Sequence, residues 1–153
     1  MIMFLTVASA IVSCSRKTVY DSYRHTRLSG WERGDTLVFG VPPVREGGEY
    51  AEEIGLRISS GYPFMSLCLI VDQTVWPSNA TRTDTLNCRL TDNGGEITGQ
   101  GVSVYQYTFG LGTIRMTKGD SLSVRVRHNM RREILPGIAV VGLRLSRGGL
   151  LAD

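Results

Sequence analysis

Histidine and cysteine are scarce in this chain, with two and three copies among 153 residues. His25 and His128 have no acid or thiol set around them at metal-ligand spacing, which excludes the usual zinc sites. Also absent are a GxSxG elbow, an HExxH helix and a dinucleotide fingerprint, and "GLGTIR" lacks the Lys-Ser/Thr ending of a phosphate loop. Neither enzymatic activity nor a cofactor is expected. One-sided charge is missing as well, since 17 basic residues face 14 acidic ones. The basic cluster Arg125, Arg127, His128, Arg131 and Arg132 has none of the stacking aromatics or groove-filling helix of a nucleic-acid reader, so no nucleic acid partner is expected. No apolar run is long enough to span a bilayer of ~30 Å as a helix.

The apolar run that does exist, Ile2 to Val12, has the length of a signal-peptide core. Ile11, Val12 and Ser13 supply the aliphatic and small residues before a cut, and Cys14 follows, which is the pattern of a lipobox. The thiol is needed there because a diacylglyceryl group is joined to sulfur before the peptidase cleaves on its N-terminal side, and the acyl chains then anchor the protein. Residues 1–13 are expected to be the signal peptide, 14–18 a lipidated tether, 19–147 one β-sandwich domain and 148–153 a flexible tail. If Cys14 carries lipid, Cys68 and Cys88 remain in an oxidising compartment. They are either a disulfide across a hairpin turning at "WPSNAT" or two small buried hydrophobes.

Apolar residues make up 42% and charged residues 20%, enough to bury one core. Short β-branched or aromatic runs punctuated by Gly, Pro, Asn and Asp fill the chain: "TVYDSY", "DTLVFGV", "EYAEEIGLRIS", "FMSLCLIVDQTV", "RTDTLNCRL", "GVSVYQYTFG", "DSLSVRVRH" and "GIAVVGLRLS". About eight strands at this spacing predict an all-β, antiparallel, jelly-roll-like β-sandwich. Leu67, Leu69 and Val71 share one face of a central strand, and Leu122, Val124 and Val126 point inward from another. Ala51, Glu52 and Glu53 are good helix formers, so that run is expected to open as a helical turn or as strand, with strand favoured from Ile54. "NMRREILPGI" is expected to carry at most one helical turn before Pro136. In "RHTRLSGWERG", Trp31 reads as an apolar anchor.

Candidate chemistry is thin. Asp35, Asp84 and Asp120 could pair for glycoside hydrolysis or hold calcium, but each stands where a strand begins and turn capping accounts for all three. The Asp-Ser/Thr-Leu triplets make Thr36, Thr85 and Ser121 candidate glycosylation positions. Tyr105, Tyr107 and Phe109 would share one strand face and could form a sugar-stacking platform, although core packing explains them equally.

The cysteine after the apolar run, "VYDSY" soon after it, "GYPFMSLCLIV" leading to "TDTLNCRL", then "GQGVSVYQYTF" and a closing "GIAVVGLRLS" resemble, in that order, the GldH family of gliding-motility lipoproteins of Bacteroidetes. The resemblance implies a non-catalytic β-sandwich at the cell envelope that supports motility and linked secretion. It implies a membrane partner through the anchor, envelope proteins as further partners, and no small-molecule substrate. Ser15, Arg16 and Lys17 after Cys14 are basic rather than acidic, so retention on the periplasmic face of the outer membrane is expected. Loops at sandwich ends carry function, and Trp31, Tyr62, Arg131 and Arg132 are the candidate partner contacts. A glycan-binding jelly-roll module is the alternative.

Overall fold

The computed structural model describes residues 17–148. Eleven strands follow in chain order: β1 (Lys17–His25), β2 (Trp31–Glu32), β3 (Leu37–Val41), β4 (Gly48–Ser59), β5 (Ser66–Trp76), β6 (Ala80–Arg89), β7 (Gln100–Gly101), β8 (Val104–Met116), β9 (Ser121–His128), β10 (Ile134–Leu135) and β11 (Ile138–Arg147). Three of them, β2, β7 and β10, are two-residue pairings, which leaves the eight long strands that the alternating runs predict.

All pairings are antiparallel. One sheet runs β1-β11-β4-β8-β7 and the other β3-β9-β5-β6, with β2 and β10 forming a small separate ribbon. Counting only the long strands, successive strands give the orders 1-8-3-6 and 2-7-4-5, which is the jelly roll. The domain core lies between these two sheets, where Tyr50, Ile54, Leu56 and Ile58 of β4 and Val141, Leu143 and Leu145 of β11 meet Leu67, Leu69 and Val71 of β5 and Leu122, Val124 and Val126 of β9. The period of two in each run places these residues on the inner face, as the sequence alternation requires.

Two local expectations are corrected. "EYAEEI" is strand from Gly48 onward with no helical turn, because β11 and β8 flank it residue by residue and tertiary pairing overrides the helix preference of Ala51 to Glu53. "NMRREILPGI" carries no helix either; Ile134 and Leu135 pair with Glu32 and Trp31. Lys17 and Thr18, expected in the tether, already belong to β1. The expected signal peptide and Cys14 lie outside the described residues.

The register fixes two ends. Lys17, Arg147, Gly48 and Met116 end their strands together, as do Val41, Ser121, Trp76 and Ala80 in the other sheet. The segments 42–47, 77–79 and 117–120 close this entry end. The segments 26–36, 60–65, 90–103 and 129–137 lie at the opposite, far end.

Candidate functional site

Of the candidate contacts, the far end gathers all four, but not all on its surface. Trp31 is fully buried; its indole N–H donates to the Asp35 carbonyl at 2.7 Å and the ring meets His128 edge-on at 5.3 Å. It plugs the sandwich, which fits the anchor reading and removes it as a partner contact. His128 is buried against it, with Nε2 3.0 Å from the Trp31 carbonyl and Nδ1 accepting from the Met130 amide. Burial lowers its pKa below the ordinary 6.5, so the ring is a neutral structural link.

Tyr62 is half-buried, donates its hydroxyl to the Ser66 carbonyl at 2.7 Å and packs edge-on against Phe64. Burial raises its phenol pKa. Gly137 lies against this loop: at φ +87° its absent Cβ would stand 2.6 Å from the Tyr62 nitrogen. The Ser59 amide also donates to the Gly137 carbonyl at 2.7 Å. Arg131 and Arg132 are exposed in the segment before β10, whose backbone is held by Arg33 donating to the Met130 and Arg131 carbonyls. In the same far-end segments Leu28, Phe64, Met65, Ile97, Val102 and Ile134 expose large apolar side chains. The sequence named Tyr62 and the arginines but missed this apolar set, whose signal was hydrophobic residues inside otherwise polar loop segments.

Cys68 and Cys88 are free. The β5–β6 register places Cys88 opposite Leu67 and Cys68 opposite Asn87, so the expected bridge is one residue out of step. A one-residue offset puts the two side chains on opposite faces of the sheet. Cys88 faces the core, where burial pushes its thiol up to about 12.

The row Tyr105, Tyr107 and Phe109 faces the core as well. Tyr107 is buried, donates its hydroxyl to the Leu90 carbonyl at 2.8 Å and stacks on Phe109, while Tyr105 and Phe109 are partly buried against the core. No sugar platform exists on β8. Asp120 accepts from the Thr117 amide and hydroxyl, as turn capping predicts, and Asp84 accepts from Arg82. Among the described residues no three metal-ligand side chains cluster. Thr85 is exposed on β6, whereas Thr36 and Ser121 are half-buried.

One polar group was missed entirely. Glu52 stands in the inward row of β4 and is 1% exposed. Its Oε1 accepts from Gln73 Nε2 at 3.3 Å and from Arg82 Nη2 at 2.9 Å. Arg82 also donates to Asp84 and to the Thr113 carbonyl, so it spans the gap between the sheets. Glu52 Oε2 and Gln73 Oε1 have no hydrogen-bond partner. Burial outweighs these hydrogen bonds and the Arg82 charge and pushes the Glu52 carboxyl up to about 7. A proton on Oε2 turns that orphaned acceptor into a donor. The readable signal was Glu52 interrupting the alternate row Tyr50, Ile54, Leu56, Ile58.

The profile of the GldH lipoprotein family matches residues 18–145. The chain belongs to the GldH lipoprotein family. This is a family of gliding-motility lipoproteins rather than a known family of enzymes. The gliding motility lipoprotein GldH of Flavobacterium johnsoniae is 31% identical over 99 residues, covering 65% of this chain and 61% of that one. Among solved structures, a family GH115 4-O-methyl-alpha-glucuronidase aligns with 93% of this chain and 19% of its own, at 12% identity and TM-score 0.40. A family 35 carbohydrate binding module from Clostridium thermocellum aligns over 86% and 98%, at 9% identity and TM-score 0.38. Likeness at that level transfers no function to this member of the GldH family.

Proposed function

We propose that this protein is a non-catalytic, lipid-anchored component of a motility- or secretion-related envelope complex, tied to the membrane through Cys14 and engaging a protein partner with its far end. The observation that carries this reading is the polarity of the sandwich. β1 begins at Lys17 on the entry end, three residues after Cys14, while Leu28, Phe64, Met65, Ile97, Val102 and Ile134 are exposed on the end facing away from it. Exposed apolar side chains together with the exposed Arg131 and Arg132 at one end of the domain have the mixed composition of a protein interface. Family membership supports the envelope setting, and Arg16 and Lys17 beside the anchor support the periplasmic face of the outer membrane.

The test is mild crosslinking in native membranes followed by purification and mass spectrometry, comparing wild type with Cys14→Ala. Wild type should capture envelope proteins, and the variant should leave the membrane fraction and lose them. Protein capture that persists unchanged from a soluble Cys14→Ala chain would remove the anchor from the account. Protease shaving of intact cells that removes the domain would place it on the cell surface instead.

A further inference from the structure

The outer face of the larger sheet carries a trough that the far-end reading does not use. Its floor is a row running across four strands, Tyr23–Gly142–Gly55–Thr108, in register from β1 through β11 and β4 to β8. One wall is the adjacent row Asp21–Arg144–Glu53–Gly110; the other is His25–Val140–Arg57–Gln106. Two side-by-side glycines remove the side chains that would otherwise fill the centre of the sheet. The four strands carry these rows across about 14 Å, and the space left open beside the Tyr23 ring, lined by Glu53, Gly55, Gln106, Thr108 and Arg144, is about 50 Å³.

The chemistry of the trough is specific. The Tyr23 ring lies over Gly142, where an added Cβ would come within 2.6 Å of two ring atoms. The ring is 52% exposed, so a flat aromatic surface is presented beside the open position above Gly55. Arg144 donates through Nε to Glu53 Oε2 at 3.0 Å, which fixes a planar pair in one wall, and Arg57 and Gln106 stand exposed in the other. Asp21 and Glu53 offset Arg144 and Arg57, so the trough selects for neither sign of charge. Planar donors and acceptors flanking an exposed ring suit vicinal hydroxyls on a ligand whose C–H face can lie on an aromatic. A peptide would instead call on an open sheet edge or on apolar pockets, and this trough is a polar face.

The geometry points to a saccharide-binding site in this trough, with Tyr23 as the stacking platform and Arg144, Glu53, Arg57 and Gln106 as the hydrogen-bonding groups. The ligand is an uncharged saccharide that lays one sugar ring on Tyr23 and reaches the space beside Gly55 with its hydroxyls. This site is separate from the far-end surface and stands or falls independently of it.

The test is an amide NMR titration of the full chain in detergent micelles with maltotriose, cellotriose and chitotriose, each to about 10 mM, a range that reads weak binding. At least one sugar should shift the resonances of Tyr23, Gly55, Thr108 and Gly142 together. Tyr23→Ala should weaken that binding at least about tenfold, whereas Tyr23→Phe should keep it, because stacking survives loss of the hydroxyl. Gly55→Ala tests the floor separately: an added Cβ meets its nearest atoms at 3.8 and 3.9 Å, so the strand accepts the methyl while the space beside the Tyr23 ring shrinks. Weaker sugar shifts in Gly55→Ala with an otherwise unchanged spectrum support the site. No binding of any of the three sugars, shifts confined to the far-end loops, or equal affinity in Tyr23→Ala would overturn it.

Discussion

At the entry end the sandwich is closed by the short segments 42–47, 77–79 and 117–120; at the far end the segments 26–36, 60–65, 90–103 and 129–137 are longer and cross-braced. The entry-end turns are occupied with their own geometry. The Val44 amide donates to the Asp120 carbonyl, the Gly119 amide to the Val44 carbonyl, and Asp120 caps Thr117. Its exposed large apolar residues are Trp76 and Val19. The far end contains a buried plug, Trp31 on His128, and segments that expose apolar side chains. Exposed apolar side chains over a buried plug support the proposed partner surface, whereas the entry-end turns pair their polar groups with one another.

The sharpest way to break this comparison is to remove the plug. Trp31→Ala should cost about 3–5 kcal/mol of unfolding free energy, the usual penalty for deleting a buried large aromatic, read by urea denaturation. An effect below about 1 kcal/mol would mean the far-end loops do not rest on it.

Next in size is the polar bridge between the sheets. The folded-state pKa of Glu52 is raised from the ordinary 4.5 to about 7, so its stabilising proton is fully present below pH 4.5 and lost as pH rises through about 7. Glu52→Gln keeps the shape and supplies a permanent donor. It should therefore match wild type near pH 4.5 and exceed it by about 3 kcal/mol at pH 8, the value of a displacement of that size. His128, with its lowered pKa, acts oppositely and loses stability as pH falls below 6.5, but it does so in both proteins and cancels in the difference. A difference between the two proteins that does not change with pH would show that folding does not raise the Glu52 pKa.

Smaller in stability and larger in function is the pair Phe64→Ser and Met65→Ser. Phe64 loses its edge contact with Tyr62 and Met65 is half exposed, so unfolding should move by no more than about 1.5 kcal/mol in either variant, while capture of the partner in membranes falls at least about tenfold. The smallest effect belongs to Trp76→Ser at the entry end, which should leave stability within about 0.5 kcal/mol and capture unchanged.

How much of this was legible follows from what each signal encodes. The eight long strands were readable because their apolar residues alternate, as in Leu122, Val124 and Val126, and because Gly, Asp and Pro mark their ends. Trp31 was readable as an anchor, since a lone indole in a polar loop has to be buried somewhere. The cysteine pair was not, because whether Cys88 meets Cys68 or Leu67 depends on a single residue in the turn, and the face changes with it. Glu52 was masked by composition: Ala51 to Glu53 look helical in isolation, which obscures the alternate row from Tyr50 to Ile58 that Glu52 interrupts until β11 and β8 are seen to flank it. The Tyr23 trough was equally hidden, since Gly55 and Gly142 are far apart in sequence and become neighbours only through strand register.

The most direct measurement is site-specific photo-crosslinking in intact cells, with the photoreactive side chain placed at Met65 on the far end or at Trp76 on the entry end, in otherwise wild-type chains. Protein adducts from Met65 and none above background from Trp76 are expected, because the proposed recognition surface lies at the far end. Adducts formed from Trp76 and not from Met65 would contradict the account and place the partner beside the membrane anchor.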